Sequence, residues 1–516
     1  MVASENDALV GGKVGGIGDV VRDVPLALVE EGCVVDVITP AYQLFSILPR
    51  AQIAASFDIR FAGSTHQVAL YQVPPKQPTQ GVAHWALELP SAFYVEPKTI
   101  YFNDPPSSPF ATDATKFACF CAGVASALIN GALAKPDVIH LHDWHSSLLL
   151  LLRNHAPEFS PLQSIRCVYT IHNLALQGIR PLRDHESALE SWFPELPYLP
   201  QQITDPRVPH CINLMRTGIN LADKVHAVSP SYTQEIMLPS DPERGFIGGE
   251  GLHEDLIAAH AKNKIVGILN GCHYREPTPL KPTKQQLVAL LNAEILTLIS
   301  QQAFVDSALY IAQKRVAVWA DKTPPCLLMT SVGRITDQKV AILRHTFDSG
   351  KSTLESLLDE LGQEGILILL GSGDHELEQF LTKISAAYEN FIFVKGYSEK
   401  LSDALYLSGE LFLMPSSFEP CGISQMLAMR AGQPCLVHAV GGLKDSIDNN
   451  INGFSFDGVS VQQQSINLIK RFSEVKKLKR SNKQKYKKIS DNAYQTRFSW
   501  KKSARKYLTD LYEFPG

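Results

Sequence analysis

Four short segments of this 516-residue chain gather residue types that bind anions or polyols. The first is Lys13-Val14-Gly15-Gly16-Ile17-Gly18-Asp19. Glycines let the backbone approach a ligand closely, a helix N-terminus offers unpaired N–H groups and partial positive charge, and Lys13 adds a full one. An anionic group is expected to dock there. The spacing is not the dinucleotide-binding Gly-x-Gly-x-x-Gly, and a plain tight turn is the alternative. The second segment is His140-Leu141-His142-Asp143-Trp144-His145, which the later His172-Asn173 resembles in placement. Histidines and an aspartate at strand ends can hydrogen-bond sugar hydroxyls, and Trp144 offers a stacking face for a pyranose. Structural histidines and a zinc site are the rival readings. The local spacing supplies no complete set of three or four ligands, so no metal is assigned.

The third segment, Gly333-Arg334-Ile335-Thr336-Asp337-Gln338-Lys339, sets two cations five residues apart. Arginine binds a diphosphate in bidentate fashion and lysine acts as a mobile point charge, which suits a departing nucleoside diphosphate; a surface pair is the alternative. The fourth runs from Met414 through Ser416, Ser417, Glu419, Cys421 and Gly422 to Gln425. Glu419 is placed to accept from ribose or sugar hydroxyls, and Gly422 to open a phosphate-facing helix N-terminus. Val440-Gly441-Gly442-Leu443 repeats that arrangement.

These segments need strand ends to carry them. An apolar start at residues 1–3 precedes the glycine loop; Val20, Val24 and Leu28 then share a helix face that stops at Gly32, and a β-branched run occupies 34–38 before Pro40. Apolar runs recur at 138–141, 167–171 and 225–228, so the N-terminal half reads as α/β with a mainly parallel sheet. After a helix-rich, Pro-flanked stretch at about 275–325, a second series follows at 326–332, 366–370, 391–394, 411–414 and 435–438. Each interval is long enough for a crossover helix. Two doubly wound domains result, with ligands expected at the carboxyl ends of their strands and site residues from both halves.

Lys+Arg 48 against Asp+Glu 52 leaves −4, so no basic balance argues for a nucleic acid or an anionic membrane. The longest apolar run, near 148–152, is far short of the roughly 20 residues of a membrane span. Nine cysteines without a Cys-x-x-Cys pair give neither a disulfide framework nor a zinc ribbon. Ten of the residues at 470–488 are Lys or Arg, read as a solvated helix face. The location expected is cytoplasmic, or plastid-type if further sequence precedes residue 1.

The chain resembles bacterial glycogen synthases and plant starch synthases, the retaining glucosyltransferases of the GT-B fold, along nearly its whole length. The anchors, in that family's order, are KVGGIGD at Lys13, HLHDWHS at His140, YTIHNLALQG at Tyr169, AVSPSYTQEI at Ala227, GILNG at Gly267, GRITDQK at Gly333, SSFEPCGISQMLAMR at Ser416, VGGLKDS at Val440 and FSWKKSA at Phe498. The resemblance implies two Rossmann-like domains facing across a cleft, at 1–265 and 266–485, with helices of 486–516 crossing back to the first and closure about 267–271. It implies transfer of glucose from a nucleotide donor, ADP-glucose in preference to UDP-glucose, to the non-reducing end of an α-1,4-glucan with retention. Neither metal nor other cofactor is implied.

By the same resemblance Lys13 helps bind the glucosyl nucleotide beside Gly15, Gly16 and Asp19, and His142 approaches the transferred glucose. Arg334 and Lys339 neutralise the diphosphate and Glu419 contacts the donor. Asp143, His172, Asn173, Tyr397, Cys421, Gly422, Gly441 and Gly442 complete the substrate-binding set. Departures are also visible. The span from Glu5 to Lys13 is about two residues longer than the family's, and the first strand looks clipped. Cys272-His273 follows GILNG where an apolar residue and Asp are usual, Val340 replaces a glycine, Ser417 an arginine, and Lys116-Phe117 stands for Arg-Phe. A transferase with a small sugar or sugar-phosphate acceptor, or a glucan-binding homologue of weak activity, is the alternative.

Overall fold

The computed structural model describes residues 1–274, 280–322 and 327–514. The chain forms two compact units: Met1–Ser240 with Gly248–Gly271 and Ser499–Gly516, and Asp241–Ile247 with Cys272–Phe498. The chain thus leaves the first unit after Gly271 and rejoins it at Ser499; helix Lys483–Gln495 stays in the second.

In the first unit the three opening residues are a short strand paired on both sides. Val2 forms parallel bridges to Ile38 and to Leu141. Its N–H donates to the His140 carbonyl at 2.8 Å, and its own carbonyl accepts from His142 N–H at 3.1 Å. Val2 thereby joins two four-stranded pieces. On one side lie Val35–Pro40, Val82–Glu88, Ser64–Gln72 and Gln52–Phe61; on the other Val138–His142, Arg166–Ile171, Lys224–Ala227 and Ile265–Gly267. The second piece is wholly parallel, as its continuous apolar runs predict. The first piece departs from that expectation, because Gln52–Phe61 and Ser64–Gln72 make an antiparallel hairpin. Its two-residue turn puts Ala62 at φ 51° and Gly63 at φ 71°, the left-handed pair that matches strand twist. Alanine carries no turn signal, which is why the sequence does not announce it.

Helix Gly16–Glu30 buries Val20, Val24 and Leu28, the predicted face, together with Ile17, Val21 and Ala27. It packs on Trp500, Ala504, Tyr507 and Leu511 of the returning C-terminal segment. Helix Ala111–Ile129 has the length and hydropathy of a membrane span, yet most of it is buried inside this unit. Within it Lys116 is itself buried, its ammonium 2.7 Å from Asp113 Oδ1 and 2.6 Å from the Ile100 carbonyl.

The second unit holds six parallel strands in the order Phe391–Lys395, Gly365–Gly371, Leu327–Val332, Leu411–Met414, Cys435–His438, Phe454–Phe456. Numbered along the unit this is 3-2-1-4-5-6, the doubly wound order of Rossmann sheets. Cys326, the expected start of the first strand, lies outside the described residues, as do parts of the stretch at 275–325; helices Lys284–Ser300 and Ser307–Asp321 occupy the rest of it. Val340, where a glycine is customary, is buried in the core beside Leu343, Leu354 and Leu377.

The loops leaving the first two strands run together past their ends. Ile335 bridges Gly373, with Ile335 N–H donating to the Ser372 carbonyl at 2.9 Å and Asp374 N–H to the Ile335 carbonyl at 2.7 Å. A Cβ on Gly373 would fall inside contact distance of the Ile335 carbonyl, whereas one on Gly333 would meet nothing. Gly373→Ala should therefore destabilise the second unit by about 1–3 kcal/mol. Gly333→Ala should leave its thermal midpoint unchanged, and calorimetry of the two variants measures the contrast.

Candidate active site

The main sheet of each unit has a place where neighbouring strands send their chains to opposite faces, and several of the predicted residues lie there. In the first unit the reversal falls at the opening strand, between Val35–Pro40 and Val138–His142. The glycine loop follows that strand, and two of its amides are engaged from within the chain. Glu5 is buried; its Oε2 accepts from Val14 N–H at 2.9 Å and Gly15 N–H at 2.6 Å, and its Oε1 from Tyr101 Oη at 2.8 Å. A Cβ on Gly15 or Gly18 would crowd this carboxylate, while Gly16 faces open space. Glu5 thus sits on two loop amides just ahead of helix Gly16–Glu30.

Lys13 lies at the rim, its ammonium 2.7 Å from Asp19 Oδ1. Arg22 joins the same cluster, pairing with Asp7, with Asp19 at 3.1 Å and with Asp23 at 2.6 Å. Burial raises the Asp19 carboxyl against the pull of Lys13 and Arg22. The stretch between Glu5 and Lys13 closes a small loop of its own. In it Leu9 N–H donates to the Asn6 carbonyl, Gly12 N–H to that of Leu9, and Asn6 N–H back to that of Gly12.

Across the reversal, strand Val138–His142 delivers His142 and Asp143. Asp143 adopts φ 53°, a backbone conformation L-residues rarely take, and its Oδ1 accepts from His172 N–H at 2.7 Å. His142 is fully buried, with Nδ1 2.9 Å from His172 Nε2 and its ring stacked on His140, centroids 4.6 Å apart. Its Nε2 is buried with no hydrogen-bond partner among the described residues. Asn173 turns its Oδ1 to Ala175 N–H at 3.0 Å. Trp144 is not the stacking face anticipated. It is 3% exposed, enclosed by Phe110, Phe117 and His145, and Gly178 is a glycine because a Cβ there would strike the indole.

In the second unit the reversal lies between Leu327–Val332 and Leu411–Met414, and their loops are stitched together. Ser417 N–H donates to the Gln338 carbonyl at 2.8 Å, and Gln338 Nε2 to the Phe418 carbonyl at 2.8 Å. This brings the Lys339 ammonium onto Glu419, with Ser416 Oγ 3.3 Å from the ammonium and 3.1 Å from Glu419 Oε2. Gly442 N–H donates to the Glu419 carbonyl at 2.9 Å, and a Cβ on Gly442 would collide with the Cys421 backbone. Gly422 and Gly441 have φ 76° and 43°. Arg334 is exposed and forms no hydrogen bond or ion pair among the described residues. Tyr397 is 65% exposed after strand Phe391–Lys395; burial pushes the Tyr406 hydroxyl up, and Tyr406 Oη meets Ser424 Oγ at 3.1 Å.

Three contributors went unassigned in the sequence. Glu5 is an acidic residue one step beyond a three-residue strand, a signal too short to weigh. Ser416 is one of many loop serines until His438 Nδ1, 2.9 Å from its carbonyl, fixes it in place. Gly371-Ser372-Gly373-Asp374 was readable, being a glycine loop between an apolar run and a helix that Asp374 caps.

Two doubly wound units, one with a cation unengaged among the described residues and a paired one at its reversal and one with buried histidines at its own, have the architecture of a GT-B glycosyltransferase. Residues 1–258 match the family described as starch synthase catalytic domain, and 344–496 that of glycosyl transferases group 1. The glycogen synthase of Exiguobacterium sibiricum is 31% identical over 508 residues, 96% of this chain and 95% of that one. That of Desulfitobacterium hafniense is 29% identical over 512 residues, 97% and 96%. The catalytic domain of starch synthase IV from Arabidopsis thaliana, solved bound to ADP and acarbose, superposes with a TM-score of 0.73 at 25% identity, over 99% of this chain and 98% of that one. The chain belongs to the glycogen and starch synthase family, enzymes that transfer glucose from a nucleotide sugar to a glucan with retention.

The buried groups of the first unit pull its stability in opposite directions with pH. Burial lowers His140 and His142 well below their ordinary range, His172 to about 3 and His226 to about 4. Below about pH 6.5 the unfolded chain takes up protons that these rings refuse, so stability falls with acid. Burial pushes Asp143 up to about 8, against the His172 and Asn173 amides that lower it. Above about pH 4 the unfolded chain sheds a proton that folded Asp143 keeps, so this term lowers stability as pH rises towards 8. Asp143→Asn, which retains the acceptor oxygen, should lessen the loss between pH 6.5 and 8 by roughly 1 kcal/mol per pH unit. Urea midpoints of the first unit across that range measure it.

Proposed function

We propose that the donor is ADP-glucose and the acceptor the non-reducing end of an α-1,4-glucan, and that Arg334 and Lys339 hold the departing diphosphate. The observation that carries this reading is the cation pair beside the second unit's strand reversal: Arg334 exposed and unengaged among the described residues, Lys339 poised on Glu419 and Ser416. Charge that builds on the leaving phosphate meets a guanidinium able to bind in bidentate fashion and a movable ammonium, both carried just past the end of strand Leu327–Val332. The choice of adenine nucleotide draws support from the starch synthase IV neighbour, which was solved with ADP.

Glu419 contacts the donor's hydroxyls. Tied to Lys339 and Ser416, it is a binding group rather than a nucleophile, and the acceptor hydroxyl attacks the anomeric carbon from the face the diphosphate leaves. Catalysis is by positioning and electrostatics. In the first unit His142 takes a hydroxyl of the transferred glucose through Nε2, a buried nitrogen otherwise lacking a partner among the described residues. Lys13, Gly15, Gly16 and Asp19 form the rim of the sugar-nucleotide site there, with Asp143, His172 and Asn173 behind it. Tyr397, Cys421, Gly422, Gly441 and Gly442 line the donor site of the second unit.

Release of nucleoside diphosphate from ADP-glucose and from UDP-glucose, each with and without an α-glucan primer, tests the reading. Release that needs primer and is faster with ADP-glucose is expected; silence with both donors in folded protein, or release that follows a small sugar acceptor instead, overturns it. Arg334→Ala should lower kcat/KM by about 100-fold or more. Its stability should stay within about 0.5 kcal/mol of the parent, since the side chain is exposed.

A further inference from the structure

The returning C-terminal segment ends on a buried hydrogen-bond chain within the first unit. Tyr512 Oη lies 2.8 Å from His140 Nδ1, and His140 Nε2 2.6 Å from Thr170 Oγ1. Thr170 Oγ1 is 3.0 Å from His226 Nδ1, and His226 Nε2 3.0 Å from the Ile268 carbonyl oxygen. The far end sets the direction. A carbonyl only accepts, so His226 donates from Nε2. Burial keeps His226 neutral, no carboxylate among the described residues pairs with it, and its Nδ1 therefore accepts. Thr170 spends its single proton on His226 and must accept from His140 Nε2–H. That leaves His140 Nδ1 as an acceptor, and Tyr512 donates to it.

His140 matters because of what leans on it. The His142 ring lies against it at 4.6 Å and 14° between planes, and the His142 Nδ1 contact to His172 holds the other side. His142 Nε2 is left buried without a hydrogen-bond partner among the described residues.

We propose that Tyr512 is a positioning residue for His142: through His140, Thr170 and His226, acting as one directed relay anchored on the Ile268 carbonyl, it fixes the ring whose free nitrogen meets the transferred sugar. This rests on the role given to His142 above. The relay also gives the C-terminal return a chemical purpose beyond the packing of Trp500 and Tyr507 on the first helix, since Tyr512 is the only link in it supplied from that segment.

The test uses the full chain with ¹⁵N-labelled histidine, the His140 signals being assigned by their loss in His140→Gln. Long-range ¹H–¹⁵N spectra should show His140 as the neutral Nε2–H tautomer in the parent. In Thr170→Val the acceptor for that proton is gone, and His140 should switch to Nδ1–H, with the Tyr512 hydroxyl now accepting. Tyr512→Phe keeps the ring and removes the donor; its kcat for primer-dependent transfer should fall roughly 10- to 100-fold with the donor KM and thermal midpoint nearly unchanged. Thr170→Val should lower kcat similarly, and combining the two should cost little more than either alone. A parent His140 found as Nδ1–H, or a parental kcat in Tyr512→Phe, would overturn the proposal. A parental kcat in His142→Ala would instead overturn the role of His142 on which it rests, and the His140 tautomer would still report whether the relay runs as drawn.

Discussion

A reversal of strand order in each sheet is the constraint on which the chemistry of this chain depends. Where two adjacent parallel strands pass their chains to opposite faces, the loops diverge and leave a crevice that no crossover helix covers. In the first unit three residues create it, because Val2 pairs with Ile38 on one side and Leu141 on the other. In the second it lies between Leu327–Val332 and Leu411–Met414. Glu5, the glycine loop, His142 and Asp143 all leave the first pair of strands; Arg334, Lys339 and Glu419 leave the second.

The two crevices treat an anion differently. At the first, the loop amides of Val14 and Gly15, just ahead of the helix, are already engaged by Glu5, and Lys13 is paired with Asp19, so much of the loop's positive character is met from within the chain. At the second, Arg334 stands unengaged among the described residues. Diphosphate attraction on the proposed reading therefore belongs to the second unit, and hydroxyl recognition to the neutral, buried imidazoles of the first. Keeping those imidazoles neutral is what allows one to present an unshared nitrogen without a counter-charge.

Much of this is legible in the sequence because parallel strands buried on both faces are continuous apolar runs, and most runs here end in glycine, histidine or a charged residue. The strands at Val138–His142, Arg166–Ile171, Gly365–Gly371 and Cys435–His438 are of that kind. The hairpin from Gln52 to Gln72 is not: its outer strand is largely exposed, and its turn uses alanine. Burial of Trp144 is likewise invisible, because it depends on Phe110, Phe117 and Gly178, distant in the chain. Residue type identified Lys339 and Glu419 singly. Their pairing depends on hydrogen bonds from the backbone and side chain of Gln338 to the Ser417-Phe418 segment, about eighty residues apart, which no local spacing encodes.

That pairing also bears on the departures from the family pattern. Val340 follows Lys339 in helix Asp337–Arg344, about 100° around the axis, so its added volume enters the core while the ammonium stays on the crevice side. Ser417 removes a cation but uses its N–H and hydroxyl to bond the Gln338 carbonyl, the contact that sets Lys339 on Glu419. On the proposed reading, Lys339 and Arg334 then face a departing diphosphate without a third charge from position 417. A lysine already held by a carboxylate gains little from a ground-state phosphate, which must compete with Glu419 for it. It gains more as negative charge accumulates on the leaving oxygen, and an interaction that strengthens along the reaction raises kcat rather than merely tightening the donor.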